Sequence, residues 1–126
     1  MSKLLDYLSA AGATVSLPGK SSSIGTTPAE VLAAPTSIMS IMITGVVIGN
    51  KTANPINITL VEDTGSAATE ISSPLPLAAY ESRCLIFSPN GQFPNFIQAS
   101  AGKNVGAKCD QDDAGTILIF GRVDGC

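Results

Sequence analysis

Apolar and polar residues in the middle of the chain follow patterns that are typical of β-strands. Residues 38–48 form an almost continuous apolar run, rich in β-branched side chains, which ends at Gly49 and Asn50. Because such a run is apolar on both faces, it predicts a central strand that is buried on both sides. In residues 56–61, apolar positions alternate with mostly polar ones. This period of two predicts a strand with one face exposed to solvent.

Five further segments have strand character and are separated by turn-forming residues. They are residues 67–71, 80–87, 96–100, 105–109 and 116–123. Two prolines, Pro74 and Pro76, restrict any pairing after the first segment to a sheet edge. The last two segments are predicted to pair with each other through an acidic loop. Short strands at this spacing, with no long helical pattern, predict an all-β protein, a single antiparallel β-sandwich of jelly-roll or immunoglobulin-like type.

The first 36 residues differ from the rest of the chain. Leu4, Leu5 and Leu8 have helical spacing, but a helix of one or two turns needs a surface to pack on. The next stretch is rich in Ser, Thr, Gly and Pro, as extended arms and linkers are. Residues 27–30 fit a helix capping box, yet Pro35 favours an extended segment instead. We therefore expect an amino-terminal arm over residues 1–36, extended or with a short helix, and a sandwich domain over residues 37–126.

Composition narrows the function classes. The chain has 126 residues, of which 44% are hydrophobic and 13% are charged. This length supplies one core but not two, and the charged fraction is about half of the roughly 25% typical of soluble proteins. The net charge is −3 and no basic residues cluster, so the electrostatic footprint of nucleic-acid binding is missing. A neutral, hydroxyl-rich surface is predicted.

Catalytic chemistry has little support. The chain has no histidine, which excludes Ser-His and Cys-His pairs and imidazole metal sites. No glycine-rich phosphate loop stands between a strand and a helix. We therefore expect a protein that is not an enzyme and that holds no cofactor and no metal.

Targeting segments are not evident in the sequence. The amino terminus has one lysine, an early Asp6 and only a short apolar stretch, so a secretory signal is not expected. The apolar run at 38–48 is well short of the roughly 20 residues that a membrane-spanning helix needs. We expect synthesis in the cytoplasm and no membrane span.

The acidic loop is the strongest candidate for a site. Asp110, Asp112 and Asp113 lie within four residues of one another beside Gly115. Oxygen-rich loops of this kind can bind Ca²⁺, but the spacing of an EF-hand is missing, and a solvated turn is favoured. The other acidic pair, 62–63, lies at a strand end, where adjacent side chains point to opposite faces and are poorly placed to share a ligand.

The three cysteines form no CxxC motif, and their odd number does not fit a disulfide scaffold. Cys84 lies in an apolar run and is expected to be buried and inert. Cys109, beside Lys108, could have a lowered pKa, and Cys126 could reach a neighbouring chain, although a reducing cytoplasm disfavours that disulfide.

The phenylalanines divide between core and contact surface. Because a small sandwich has few aromatic residues with which to build its core, Phe87, Phe96 and Phe120 are expected inside. Phe93 follows the Asn90–Gly91 turn and is expected at an interface.

The order of these segments resembles that of small tailed-bacteriophage virion proteins. The segments that carry the resemblance are the entry segment 30–34, a strand ending at 48–50, the alternating strand 56–60, a Pro-Leu step before the strand 80–87, and the strand 96–100. Such modules are single β-sandwiches that serve as capsid decoration proteins, neck or tail components, or fibre-attachment domains. The long arm is a departure from many of them.

The resemblance implies a structural protein of the virion. The leading hypothesis is a capsid decoration (cement) protein that binds and stabilises the outer lattice with its arm. Its partners would be the major capsid protein, other virion proteins or sister copies, with Leu4, Leu5, Leu8 and Phe93 as contact residues. The alternatives are a neck, tail or fibre-attachment component and, from another class, a carbohydrate- or ligand-binding sandwich. Copies on a lattice and a homo-oligomer are both compatible with the leading hypothesis.

Overall fold

The computed structural model describes residues 15–87 and 97–124, and every helix or strand element in these ranges is a β-strand. The strands are β1 Val15–Ile24, β2 Ala29–Leu32, β3 Ser40–Asn50, β4 Ile56–Glu62, β5 Thr69–Glu70, β6 Leu75–Leu77, β7 Ser82–Ile86, β8 Ile97–Gln98, β9 Val105–Cys109 and β10 Gly115–Asp124. The all-β prediction is confirmed.

The strands form two antiparallel sheets that pack against each other. Sheet A has the order β1-β10-β3-β7, and β8 lies beside β7 along the same edge of β3. Sheet B has the order β2-β9-β4-β5, and β6 lies beside β5 along the same edge of β4. The first four strands alternate between the sheets. This alternation is that of a jelly roll, whereas an immunoglobulin domain keeps its first two strands in one sheet.

One core lies between the two sheets and is almost entirely aliphatic. Alternate residues of the paired strands point into it, so the period of two in β4 places its isoleucines and Leu60 inside. In the part of the chain that the structure describes, Phe87 is the one aromatic member of the core. Its largest fully buried side chains are Phe87, Ile24, Ile41, Ile43, Ile48, Ile56, Ile58, Leu60, Leu77, Leu85, Ile119 and Val46.

A β-bulge in β3 changes which residues of this strand point inward. The register between β3 and β10 skips Thr44, which is the extra residue, and its hydroxyl donates a hydrogen bond to the carbonyl of Phe120 at 3.2 Å. Ile43 and Val46 are therefore both fully buried, although they are three residues apart. Past the bulge, Val47 points to the outside of sheet A.

Part of the segment predicted as an arm lies in the sandwich. Residues 15–24 pair with β10 at the edge of sheet A, and residues 29–32 pair with β9 at the edge of sheet B. The second of these segments is extended, which agrees with the alternative favoured over a helix. In β1, strand pairing satisfies the backbone of a serine-rich segment whose own composition does not indicate a strand. Residues 1–14 lie outside the described ranges.

The predicted pairing of the last two strands with each other is wrong. β9 pairs with β2 and β4, and β10 pairs with β1 and β3. The loop at residues 110–114 therefore crosses from one sheet to the other, where it can hold the two sheets in position.

Candidate functional site

The four residues predicted as partner contacts, Leu4, Leu5, Leu8 and Phe93, lie outside the described residues, as do Phe96 and Cys126. Their roles stay predictions. The described residues instead contain an apolar surface and an acidic loop.

The outer face of sheet A carries apolar side chains in rows across its strands. Leu118 of β10 lies opposite Val47 of β3, which in turn lies opposite Cys84 of β7. In the next row, Gly45 separates Phe120 from Ile86. Phe120 is 44% exposed and Ile86 is 50% exposed. We call the surface formed by Val47, Cys84, Ile86, Leu118 and Phe120 the sheet A face.

The sheet A face and the positions around it carry almost no charge. Along the outward positions of residues 42–49, 82–86 and 116–122, the only charged residue is Arg122, and none is acidic. The Arg122 guanidinium lies 3.1 Å from the sulfur of Met42. A solvent-facing side of an antiparallel sheet is normally polar, so this surface has the chemistry of a protein contact.

Sheet B has the ordinary polar outer face. Lys108 of β9 forms an ion pair with Glu70 of β5, at 2.7 Å between Nζ and Oε2. Asn57 of β4 donates a hydrogen bond from its amide nitrogen to Oδ2 of Asp110 at 3.1 Å. On this outer face Val61 of β4 is fully buried, so the side chains that sheet B exposes here are polar, whereas the sheet A face exposes apolar ones.

Two residues of the sheet A face overturn expectations from the sequence. Cys84 and Phe120 were expected in the core, but both are exposed because their strand registers place them on outward positions. Phe87 is buried as expected. The sequence could not show that Phe120 points outward, because apolar residues occupy both faces of β10.

The carboxylates of the acidic loop are exposed, and each accepts hydrogen bonds from another part of the chain. Asp110 accepts from the backbone N–H of Asn57 at 3.0 Å. Asp112 accepts from the hydroxyl of Thr26 at 2.6 Å. A third carboxylate, that of Asp113, accepts from the Lys51 ammonium at 2.8 Å and from the hydroxyl of Ser23. The loop thus joins the starts and ends of several strands, which is more than a solvated turn does.

These contacts lower the pKa of all three carboxyls. The backbone N–H of Asn57 is the main cause at Asp110. The Thr26 hydroxyl is the main cause at Asp112, and the Lys51 ammonium at Asp113. Each group stabilises its charged form by donated hydrogen bonds.

Acid is expected to destabilise the fold through this loop. A carboxyl whose pKa is lower in the folded state adds stability that is full above the unfolded value of about 3.9 and is lost as pH falls through the folded value. Thermal unfolding between pH 7 and pH 2 should show this loss. Asp110→Asn should flatten the dependence, because the amide oxygen still accepts from Asn57 but has no charge to lose. An unchanged slope in this variant would contradict the assignment.

Glu62 and Asp63, the other acidic pair, contact different partners. Glu62 accepts hydrogen bonds from the backbone N–H and the hydroxyl of Ser100, at 2.7 and 3.0 Å. Asp63, which has a positive φ of 58°, lies 3.5 Å from the Lys103 ammonium. The pair stabilises loop ends and forms no joint site.

Tyr80 is the most exposed large hydrophobic residue of the described ranges. It is 69% exposed and has a φ of 54°, a left-handed conformation that bulky residues seldom adopt. Its backbone N–H donates to the carbonyl of Thr52 at 3.0 Å, which holds the turn against the neighbouring loop. The side chain is thus displayed at one end of the sandwich.

The two described cysteines are in opposite environments. Cys84 is exposed and Cys109 is buried. Burial raises the pKa of the Cys109 thiol, so the lowered pKa considered from its neighbour Lys108 is wrong. A buried thiol with a raised pKa reacts slowly, because the thiolate is the nucleophile.

Cys84 is therefore expected to react with a maleimide at least about tenfold faster than Cys109 under native conditions. Trypsin cuts after Arg83, Lys108 and Arg122, which places the three cysteines in three different peptides, and mass spectrometry can follow each one. Labelling in denaturant supplies the control, since all the rates should then converge. Equal native rates for Cys84 and Cys109 would refute the assigned burial.

Comparisons with known proteins identify no family for this chain. No protein-family model matches it, and no curated protein matches it. A chain from a solved structure, described as "Bacillus endospore appendages form a novel family of disulfide-linked pili", is 11% identical to it with a TM-score of 0.37. That alignment covers 89% of this chain and 84% of the other.

Two further observations concern residues 15–87 and 97–124. None of their elements is a helix long and apolar enough to cross a membrane. No group of three or more Cys, Asp or Glu side chains in these ranges is placed to hold a metal ion.

Proposed function

We propose that the protein is a non-enzymatic structural component of a tailed-bacteriophage particle, a decoration protein of the outer capsid lattice whose amino-terminal segment reaches to the capsid or to sister subunits. The observation that carries this proposal is the sheet A face, where the exposed apolar residues Phe120 and Ile86 lie on one surface. The other two exposed large apolar residues of the described ranges, Ile38 and Tyr80, lie elsewhere. Exposed apolar patches on small proteins mark contact sites. The resemblance of the order of segments to that of phage virion proteins is the reason for placing the protein in a phage particle.

The low charge of the chain supports this role. Charged residues make up 13% of the sequence and the net charge is −3. Copies packed at high density on a lattice therefore repel one another weakly. The amino-terminal leucines would add apolar contact area when the segment docks, at the cost of its conformational entropy.

The test is removal of residues 2–14, a deletion that leaves β1 complete. Purified particles are incubated with the truncated or the full-length protein, and bound copies are counted by quantitative mass spectrometry. The proposal expects occupancy to fall at least about tenfold, as the loss of a few buried apolar anchors would predict. Unchanged occupancy would overturn the anchoring role of the segment.

Copy number separates the capsid surface from the neck or tail. A decoration protein should be present in hundreds of copies per particle, whereas a neck ring should contain a dozen or fewer. A mass census of intact particles measures this directly, and a low count would move the proposal to a neck, tail or fibre-attachment component.

Exposed Tyr80 favours a second candidate, a carbohydrate-binding sandwich. An aromatic side chain that is 69% exposed on a firmly held turn can stack on a sugar ring. Glycan-array binding that is lost in Tyr80→Ser would support this candidate. The tyrosine stands without a second exposed tyrosine or a tryptophan in the described ranges, so the decoration protein is preferred.

A further inference from the structure

The sheet A face has three exposed side chains, those of Cys84, Ile86 and Phe120, and two partly buried ones, those of Val47 and Leu118. Leu118 and Val47 form its centre, and Phe120, Ile86 and Cys84 lie around them on neighbouring strands. The outer face of sheet B carries the ion pair between Lys108 and Glu70 instead. A surface of this kind requires an apolar occupant, because an ionic or polar partner would leave its own groups without hydrogen bonds.

The sequence offers one apolar segment of suitable size. Residues 1–14 precede β1, and Leu4, Leu5 and Leu8 would share one side of a short helix. A helix this short is marginal in water and becomes stable when its apolar side packs on another surface. Packing the segment on the sheet A face would therefore stabilise the helix and cover the apolar side chains of the face.

The segment is long enough to reach the sheet A face of its own chain or of a neighbour, and the direction of the chain favours the neighbour. Fully extended, fourteen residues span up to about 45 Å, whereas four strands at about 4.8 Å spacing are less than 20 Å wide. Val15 lies opposite Val123, and Phe120 lies opposite Pro18, which is further along β1. The segment before Val15 therefore starts away from the face of its own chain and would have to reverse direction to cover it.

We propose that residues 1–14 of one copy dock on the sheet A face of a second copy, with the three leucines packed on Leu118, Val47 and Phe120. Each contact is head-to-tail, since a segment of one chain meets a different surface of another. Reciprocal exchange of segments closes a dimer, and one-way docking produces rings or open chains of copies. The inference deepens the proposed function, on which it rests, by naming the sister subunit as the partner of the segment.

Two variants with complementary defects provide the test. The segment variant carries Leu4→Ser, Leu5→Ser and Leu8→Ser and keeps its sheet A face. The face variant carries Phe120→Ser and Ile86→Ser and keeps its segment. A control, Tyr80→Ser, removes an aromatic residue elsewhere that is more exposed than Phe120. Circular dichroism and thermal unfolding establish that each chain folds, and Ile86→Ser alone replaces the double face variant if that one does not.

Sedimentation velocity over a range of concentrations is the measurement. Wild type and the control are expected to self-associate, and each complementary variant alone is expected to do so at least about tenfold more weakly. An equal mixture of the two variants should restore association as a one-to-one complex, because each supplies what the other lacks. Self-association of the segment variant at wild-type strength would overturn the inference in favour of face-to-face pairing. A mixture that stays monomeric would also overturn it.

The outcome is independent of the particle assay. Association in solution without occupancy on particles would sink the virion role and leave the head-to-tail contact intact. Occupancy on particles without the one-to-one complex would overturn the head-to-tail contact and leave the virion role intact.

Discussion

Phe87→Ala is expected to destabilise the protein by about 3–5 kcal/mol, the range for removing a large aromatic side chain from a closed core. Phe87 is 1% exposed and packs among aliphatic side chains of both sheets. Alanine would leave a cavity that two hydrogen-bonded sheets cannot easily close. The measurement is the free energy of unfolding from urea denaturation followed by circular dichroism.

Phe120→Ala is the matched control, since it removes the same side chain from the outside of sheet A. Phe120 is 44% exposed, so the loss of stability should stay below about 1.5 kcal/mol while self-association weakens. A loss at Phe120 equal to that at Phe87 would mean that the assigned register of β10 is wrong.

Gly106→Ala is expected to cost about 3 kcal/mol, at the upper end for overpacking. A Cβ at this position would lie 2.0 Å from the carbonyl oxygen of Ala29 and 2.6 Å from a methyl carbon of Thr64. The first of these neighbours is backbone, so β2 and β9 would have to separate. Urea denaturation measures the cost, and a lower Tm should accompany it.

Gly65→Ala is the control for this substitution, because a Cβ there meets no atom within 4 Å. Its effect should stay within about 0.5 kcal/mol. If Gly106→Ala were as stable as Gly65→Ala, the close approach of β2 to β9 would be contradicted.

The positions of β3 and β4 could be predicted from their apolar patterns, but the covering of their faces could not. Val47 of β3, expected to be buried, is only partly buried, and Val61 of β4, expected on a solvent-exposed face, is fully buried. β9 was predicted with its observed bounds, and β3 and β4 within two residues of theirs. β1 could not be recognised, because VSLPGKSSSI has few apolar positions and becomes a strand only by pairing with β10. That pairing joins positions about a hundred residues apart, which local patterns cannot indicate.

The functional surfaces were harder to predict than the fold. In the run from Ile117 to Phe120, apolar residues occupy both faces, so the period of two that distinguishes inside from outside is absent. The bulge at Thr44 shifts the inward positions of β3 and cannot be seen in its residues. For the acidic loop, the carboxylates were evident, but their partners Thr26, Asn57 and Lys51 lie far away in sequence and come together only through the fold.

The strand order has a consequence for the time at which the protein folds during synthesis. β10 lies between β1 and β3, and β9 lies between β2 and β4, so each sheet has as an inner strand one of the two strands made last among those described. Until the ribosome has released residues 105–124, β1 and β2 have no strand to pair with. Closing loops of this length is entropically costly and slows folding. We therefore expect both sheets to close only after β9 and β10 have been synthesised.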